Sequence, residues 1–335
     1  MAKQRLGWID IAKGIAIIAV ILGHTYGYGN PVHAFVYSFH IPLFFILAGY
    51  TSRVKTFNEV IVSSKKRLLL PYAALCAFIA VSALINPALS IGDTGWIALG
   101  FIFAAGGDTV PFGIPGVGLA WFLMALFIAR VLFNGTLVFF ERHRTPELIR
   151  FVAYVLLALL AVVVSKHCSL PLALNQSLVA MLFMYVGYVL KTYGMVKWLD
   201  KLWVIVPLAI AWFVLLWLGV FFSIGNMFYM GSFLLGLVMT VSGSLAIIRF
   251  SVFLDRHCRR VSGFLSFAGI NSLLLLCLHQ VESAFINWQQ VVFVSAGDLS
   301  FVVAGLAHLA LVFLLAYLVV LNPIVFPAEN KIAKG

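Results

Sequence analysis

Asp10, Lys13 and His24 interrupt an otherwise apolar run from Trp8 to His24, WIDIAKGIAIIAVILGH. At bilayer depth a charged group costs about 2.5 to 3.5 kcal/mol on insertion scales, so ionisable residues in such a run mark a candidate functional site. At 3.6 residues per turn, the steps from Lys13 to His24 return to within about 20° of one helix face, and Asp10 lies about 60° from Lys13. The rise is about 16 Å, which sets Lys13 in one leaflet and His24 in the other. Imidazole titrates near neutrality and can take a proton from a hydroxyl, so His24 has the chemistry of a general base. Asp10 and Lys13 suit a self-neutralising pair that can also meet a substrate phosphate.

Further ionisable residues share this setting. His33 and His40 are one heptad apart, with Pro42 loosening the helix just below His40. Arg53 follows that apolar segment, and the basic run Lys65, Lys66, Arg67 opens the next one as KKRLLLPY. Arg130 lies inside GLAWFLMALFIAR, where it either pairs with a neighbouring helix or binds an anion. His279 and Glu282 end FAGINSLLLLCLHQVE, three apart on one helix face, and His308 lies in the last apolar segment.

The elements that must position these residues follow from composition. The chain is 63% hydrophobic and 10% charged, with mean hydropathy +1.09. Soluble domains are nearer half apolar and a quarter charged, so this is a polytopic membrane protein. Segments of roughly 20 apolar residues number about ten. They cover about 8–27, 33–52, 68–86, 116–140, 148–165, 172–190, 201–222, 227–248, 263–282 and 299–321. The stretch 94–105 is too short to cross and suits an interfacial or re-entrant piece. With that assignment, every Lys and Arg except Lys13, Arg130 and Lys166 falls on one side, from Lys3 and Arg5 to Lys331 and Lys334. The positive-inside rule then places both termini in the cytoplasm. The expected fold is therefore an all-α integral membrane bundle of about ten helices, forming one domain over residues 1–335. Asp10 and Lys13 break the N-terminal apolar run, so it reads as a retained span rather than a signal peptide.

Composition also excludes partners. The net charge of +11 is spread in short runs between apolar segments, which argues against nucleic acid. Cys76, Cys168, Cys258 and Cys277 show no paired or CxxC spacing, so neither a disulfide framework nor a metal centre is expected. On this topology His24, His40, His279 and Glu282 gather toward the outer face. Lys13, Arg53, Arg67 and Arg130 gather toward the cytoplasm. Base-type groups outside and anion-binding groups inside suit an anionic cytoplasmic donor and a hydroxylic acceptor beyond the membrane. The loops around Gly106–Gly118 and Ser283–Ser300 are where an outer ligand could be held.

The residues also carry a resemblance. WIDIAKG with LGH, SFHIPLFFILAGY (Ser38–Tyr50), KKRLLLPY, LAWFL (Leu119–Leu123) and GINSLLLLCLH (Gly269–His279) resemble the acyltransferase family 3 proteins, closest to their fucose 4-O-acetylase-like branch. That resemblance implies a membrane O-acyltransferase taking an acyl group from cytoplasmic acyl-CoA to a hydroxyl of an envelope glycan or its lipid-linked precursor. It implies a critical role for Lys13 and His24, and a coenzyme role for the basic residues opening the third span. This chain has Lys13 where Arg is commoner, and the run Lys65, Lys66, Arg67 in place of Arg-x-x-Arg.

The expected enzyme is an O-acetyltransferase of the bacterial cytoplasmic membrane. His24 serves as base or transient acyl carrier, His40 supports it, and Asp10 fixes Lys13. Lys13, Arg53, Lys66, Arg67 and Arg130 meet the coenzyme, and His279 and Glu282 face the acceptor. The expected partners are membrane lipid, acyl-CoA as co-substrate and a cell-surface glycan, with no bound cofactor. The competing readings are a transporter that uses the same polar stripe as a pathway and a non-catalytic scaffold for polysaccharide synthesis.

Overall fold

The computed structural model describes residues 6–85, 90–104, 106, 114–294 and 298–321. Lys3, Arg5, Lys331, Lys334 and residues 107–113 of the loop before Gly118 lie outside the described residues. Hydrocarbon offers no partners to backbone amides and carbonyls, so long apolar segments resolve as helices that bond internally.

The chain begins with α1 (Gly7–Thr25), α2 (Pro31–Tyr37) and α3 (His40–Thr51). Asn30 caps α2 by accepting from the Val32 amide at 2.8 Å, with Pro31 in the first turn. The segment expected as one span, 33–52, is broken at Ser38–Phe39, before His40 rather than below it. Trp212 Nε1 donates to Ser38 Oγ at 2.7 Å, and Ser38 Oγ donates to the Phe35 carbonyl, so side chains stabilise the break.

α4 (Phe57–Ser64) passes through a π-helical turn, Lys65–Leu69, into α5 (Leu70–Ile85). The polar connection expected over Arg53–Arg67 is thus largely helical, begun by the Thr56–Glu59 capping box. α6 (Ile91–Phe103) is 13 residues long and starts on the Ser90–Asp93 capping box. Hydrogen bonds from Ser90 to the exposed Asp93 carboxylate hold its pKa below the ordinary value. A short 3-10 turn, Gly118–Ala120, leads into α7 (Trp121–Arg142). α8 (Glu147–Ser165), α9 (Leu174–Thr192) and α10 (Leu202–Trp217) follow.

α10 has 16 residues, and the expected span to 222 ends early because residues 221–223 form a strand. β1 (Phe221–Ser223) pairs antiparallel with β2 (Phe228–Met230), Phe222 opposite Tyr229. The next span therefore starts at Phe233 rather than 227, in α11 (Phe233–His257). The expected span 263–282 is also divided: α12 (Arg259–Ile270) meets α13 (Ser272–Glu282) at a 68° bend. α14 (Trp288–Val294) and α15 (Asp298–Leu321) complete the order.

Among the described residues, eight helical segments are long and apolar enough to cross a membrane, nine with the bent α12–α13 pair. The tenth expected segment, 201–222, corresponds to α10, an apolar helix shorter than these. The protein is an all-α polytopic membrane protein. α1 lies at its centre, packed on α12, α3, α11 and α15. Glycine permits the closest approaches: a Cβ on Gly269 would lie 1.8 Å from the Asp10 carbonyl oxygen, and one on Gly187 would lie 1.8 Å from that of Ile46. Small residues let helix backbones meet where the lipid supplies no hydrophobic drive.

Candidate active site

A cavity of about 410 Å³ passes beside α1. Lys13, Ile17, Val20 and His24 line it, the i, i+4, i+7 and i+11 positions of one helix face. α3 contributes His40 at its start and Thr51 at its end. Leu119 donates its amide to Gln280 Oε1, which ties the start of α7 to α13 beside His279. Arg130 lies about 15 Å further along α7, toward the opposite end of the cavity. Arg67, on the π-helical turn, lines the cavity within electrostatic reach of Arg130. Among the described residues neither guanidinium is in an ion pair. Two cations facing one space repel, which is the condition an anionic ligand relieves.

The histidine end is aromatic and tightly packed. The His24 ring centroid lies 5.4 Å from that of His279 and 6.4 Å from Tyr37, and Tyr37 lies 4.8 Å from His40. His40 donates Nδ1–H to the Val36 carbonyl at 2.6 Å, since a carbonyl can only accept. In its neutral form the lone pair is then on Nε2. The hairpin closes this end: Phe221 stacks on Tyr37 and His33, and Gln176 donates to the Gly225 carbonyl to hold the turn.

Behind His279 stands a buried cluster. Glu282 Oε1 lies 2.9 Å from His279 Nδ1 and 2.7 Å from His308 Nε2, and Trp288 Nε1 donates to Glu282 Oε2 at 2.7 Å. Thr25 Oγ1 donates to the Ile21 carbonyl and lies 2.8 Å from His308 Nδ1. With its single proton so placed, Thr25 accepts from His308 Nδ1–H. The donor atoms of His279, Glu282 and His308 fall within 4.8 Å of one another, near enough to share a metal ion. Held by a metal through Nδ1, His279 would carry its proton on Nε2, which is buried and meets no acceptor among the described residues. The same atoms also lie within hydrogen-bond distance of one another and form a hydrogen-bonded cluster.

Of the residues singled out from sequence, the cavity gathers Lys13, His24, His40, Arg67, Arg130 and His279. Glu282 backs His279 without lining the space. Asp10 is buried outside the cavity wall, its backbone against Gly269. Arg53 and Lys66 are exposed and do not line the cavity. Arg53 sits in the extended link after α3, and of the exposed basic run Lys65–Arg67 on the π-helical turn, Arg67 is the one that lines the cavity.

The family model described as an acyltransferase domain matches residues 6–321. The chain belongs to the acyltransferase 3 family. A relative is nodulation protein NolL of Mesorhizobium japonicum, 31% identical over 139 residues, covering 37% of this chain. The match spans 34% of that protein's own length. No solved structure gives a significant match to the chain.

In this member of the acyltransferase 3 family, the cavity residues hardest to find from sequence are Tyr37, Asn226, Gln280 and Ser283. Tyr37 lies one helical turn before His40 in the expected second span, a readable signal. Asn226 had none, because residues 222–226 reach the cavity only through the hairpin.

Proposed function

We propose that the protein is an integral-membrane O-acyltransferase that moves an acyl group, with acetyl the first expectation, from cytoplasmic acyl-CoA to a hydroxyl of an extracytoplasmic envelope glycan or its lipid-linked precursor. The observation that carries this reading is one cavity with Lys13, Arg67 and Arg130 toward one end and His24, His40 and His279 at the other. Cations suit the phosphates and carbonyls of a coenzyme thioester, and neutral imidazoles suit removal of a hydroxyl proton. Family membership over residues 6–321 supports the same reaction class.

In this reading His24 activates the acceptor hydroxyl or receives the acyl group transiently, and His40 holds the site with its Nδ1 bound to Val36. Lys13 and Arg67 bind the coenzyme, and Arg130 stabilises negative charge on the thioester side. The positive-inside distribution supports cytoplasmic termini in a bacterial cytoplasmic membrane. The test is acyl transfer by purified protein in lipid vesicles, with labelled acetyl-CoA or succinyl-CoA at the basic face and envelope glycans of the source cell opposite. Label in glycan that depends on His24 is the expected result. A protein that neither binds nor consumes either thioester, yet moves glycan across the vesicle, overturns the reading in favour of transport.

A further inference from the structure

We propose that His279, held by Glu282 and His308, is the base that takes the proton from the acceptor hydroxyl, which leaves His24 to carry the acyl group. This inference rests on the acyl-transfer reading of the same cavity. It begins from an unsatisfied atom. His279 is 1% exposed and lines the cavity, yet among the described residues its Nε2 has no hydrogen-bond partner. Such a buried polar atom is costly unless a ligand completes it.

The tautomers follow from the neighbours. Glu282 Oε1 faces both His279 Nδ1 and His308 Nε2. Thr25 already accepts the Nδ1–H of His308, so one further proton must lie between His308 Nε2 and the carboxylate. With the carboxylate accepting, His279 donates Nδ1–H to Glu282, and its Nε2 is then an unpartnered lone pair on a ring that lines the cavity. A carboxylate that fixes an imidazole by one nitrogen and frees the other is the arrangement of an oriented base. His24 lies beside it, 5.4 Å between ring centroids, and among the described residues has no carboxylate of its own within ion-pair distance.

The two histidines then divide the reaction. A His24 nitrogen attacks the thioester carbon: a C–N bond forms, the C–S bond breaks, and the departing thiolate takes the proton that His24 sheds. The acceptor oxygen next attacks the acyl carbon as its proton passes to His279 Nε2. The C–O bond forms, the C–N bond breaks, and the released His24 nitrogen recovers the proton from His279. Glu282 and His308 act as positioning residues, with no contact to the reacting atoms.

The experiment uses the full chain in lipid nanodiscs. With labelled acetyl-CoA and no acceptor, His279→Gln is expected to release one equivalent of coenzyme at the wild-type rate. Transfer to the source glycan should fall about 10²- to 10⁴-fold. Glu282→Gln should lower kcat with KM for the glycan unchanged. His279→Gln that transfers within threefold of wild type, or that also loses the coenzyme burst, overturns the proposal. Independently of activity, ¹⁵N spectra of histidine-labelled wild-type protein should show His279 protonated on Nδ1 and bare on Nε2. The reverse tautomer, or a metal retained at one equivalent by wild type and lost in His308→Gln, also overturns it. A wild type with the expected tautomer but no thioester consumption counts against the acyl-transfer reading instead.

Discussion

Lys13 and His24 line the same wall of one cavity, with Ile17 and Val20 on the face between them. Their separation of about 16 Å along α1 is fixed by helix geometry, so neither can serve the other's end of the space. That spacing assigns them separable tasks. His24→Ala should lower acyl transfer by about 10²- to 10⁴-fold while coenzyme affinity stays unchanged. Lys13→Ala should weaken coenzyme binding by about 1.5 to 3 kcal/mol, read by titration calorimetry. A fully active His24→Ala protein sinks the proposed mechanism.

Arg130 and the exposed Arg67 line the cavity, whereas Arg53 and Lys66, also exposed, do not. Replacing either of the first two with Gln removes a charge-assisted contact and should raise KM for the thioester about tenfold or more. The same change at Arg53 or Lys66 should leave KM within about twofold, as solvated surface charges contribute little. Equal effects at all four positions would show that general positive charge, rather than this cavity, recruits the donor.

Trp212 stabilises the break that precedes His40. Its Nε1 donates to Ser38 Oγ at 2.7 Å, and both groups are buried. Trp212→Phe keeps an aromatic ring but leaves that hydroxyl without its donor, at a cost of about 1 to 3 kcal/mol. Thermal unfolding in detergent should show a lowered Tm, with reduced transfer as His40 loses its fixed position. An unchanged Tm would mean that the break is held by other contacts.

Two glycines of α12 give a paired test. A Cβ on Gly269 would press into the Asp10 carbonyl, whereas one on Gly263 meets nothing within 4 Å. Gly269→Ala must push α12 from α1 and should lower Tm, by more than the roughly 1 to 3 kcal/mol typical of overpacking. Gly263→Ala should raise it, through a helix-propensity gain of up to about 1 kcal/mol. Opposite signs on one helix report the backbone contact itself.

Local periodicity determined much of this protein from sequence alone. An apolar run must satisfy its own backbone, so the helices were legible from composition. Lys13 and His24 were legible as one face because every step between them lies within a single helix, α1. Tertiary structure decided what depends on distant partners. The Ser38 break is held by Trp212, the α12–α13 bend sets His279 beside His24, and α15 brings His308 onto Glu282. That Arg67 rather than Lys66 lines the cavity was likewise decided in three dimensions, on a π-helical turn that the pattern KKR does not announce. The physical reason is that in a membrane segment a face toward lipid and a face toward protein are equally apolar, so hydropathy marks which residues are buried from water but not which neighbours they meet.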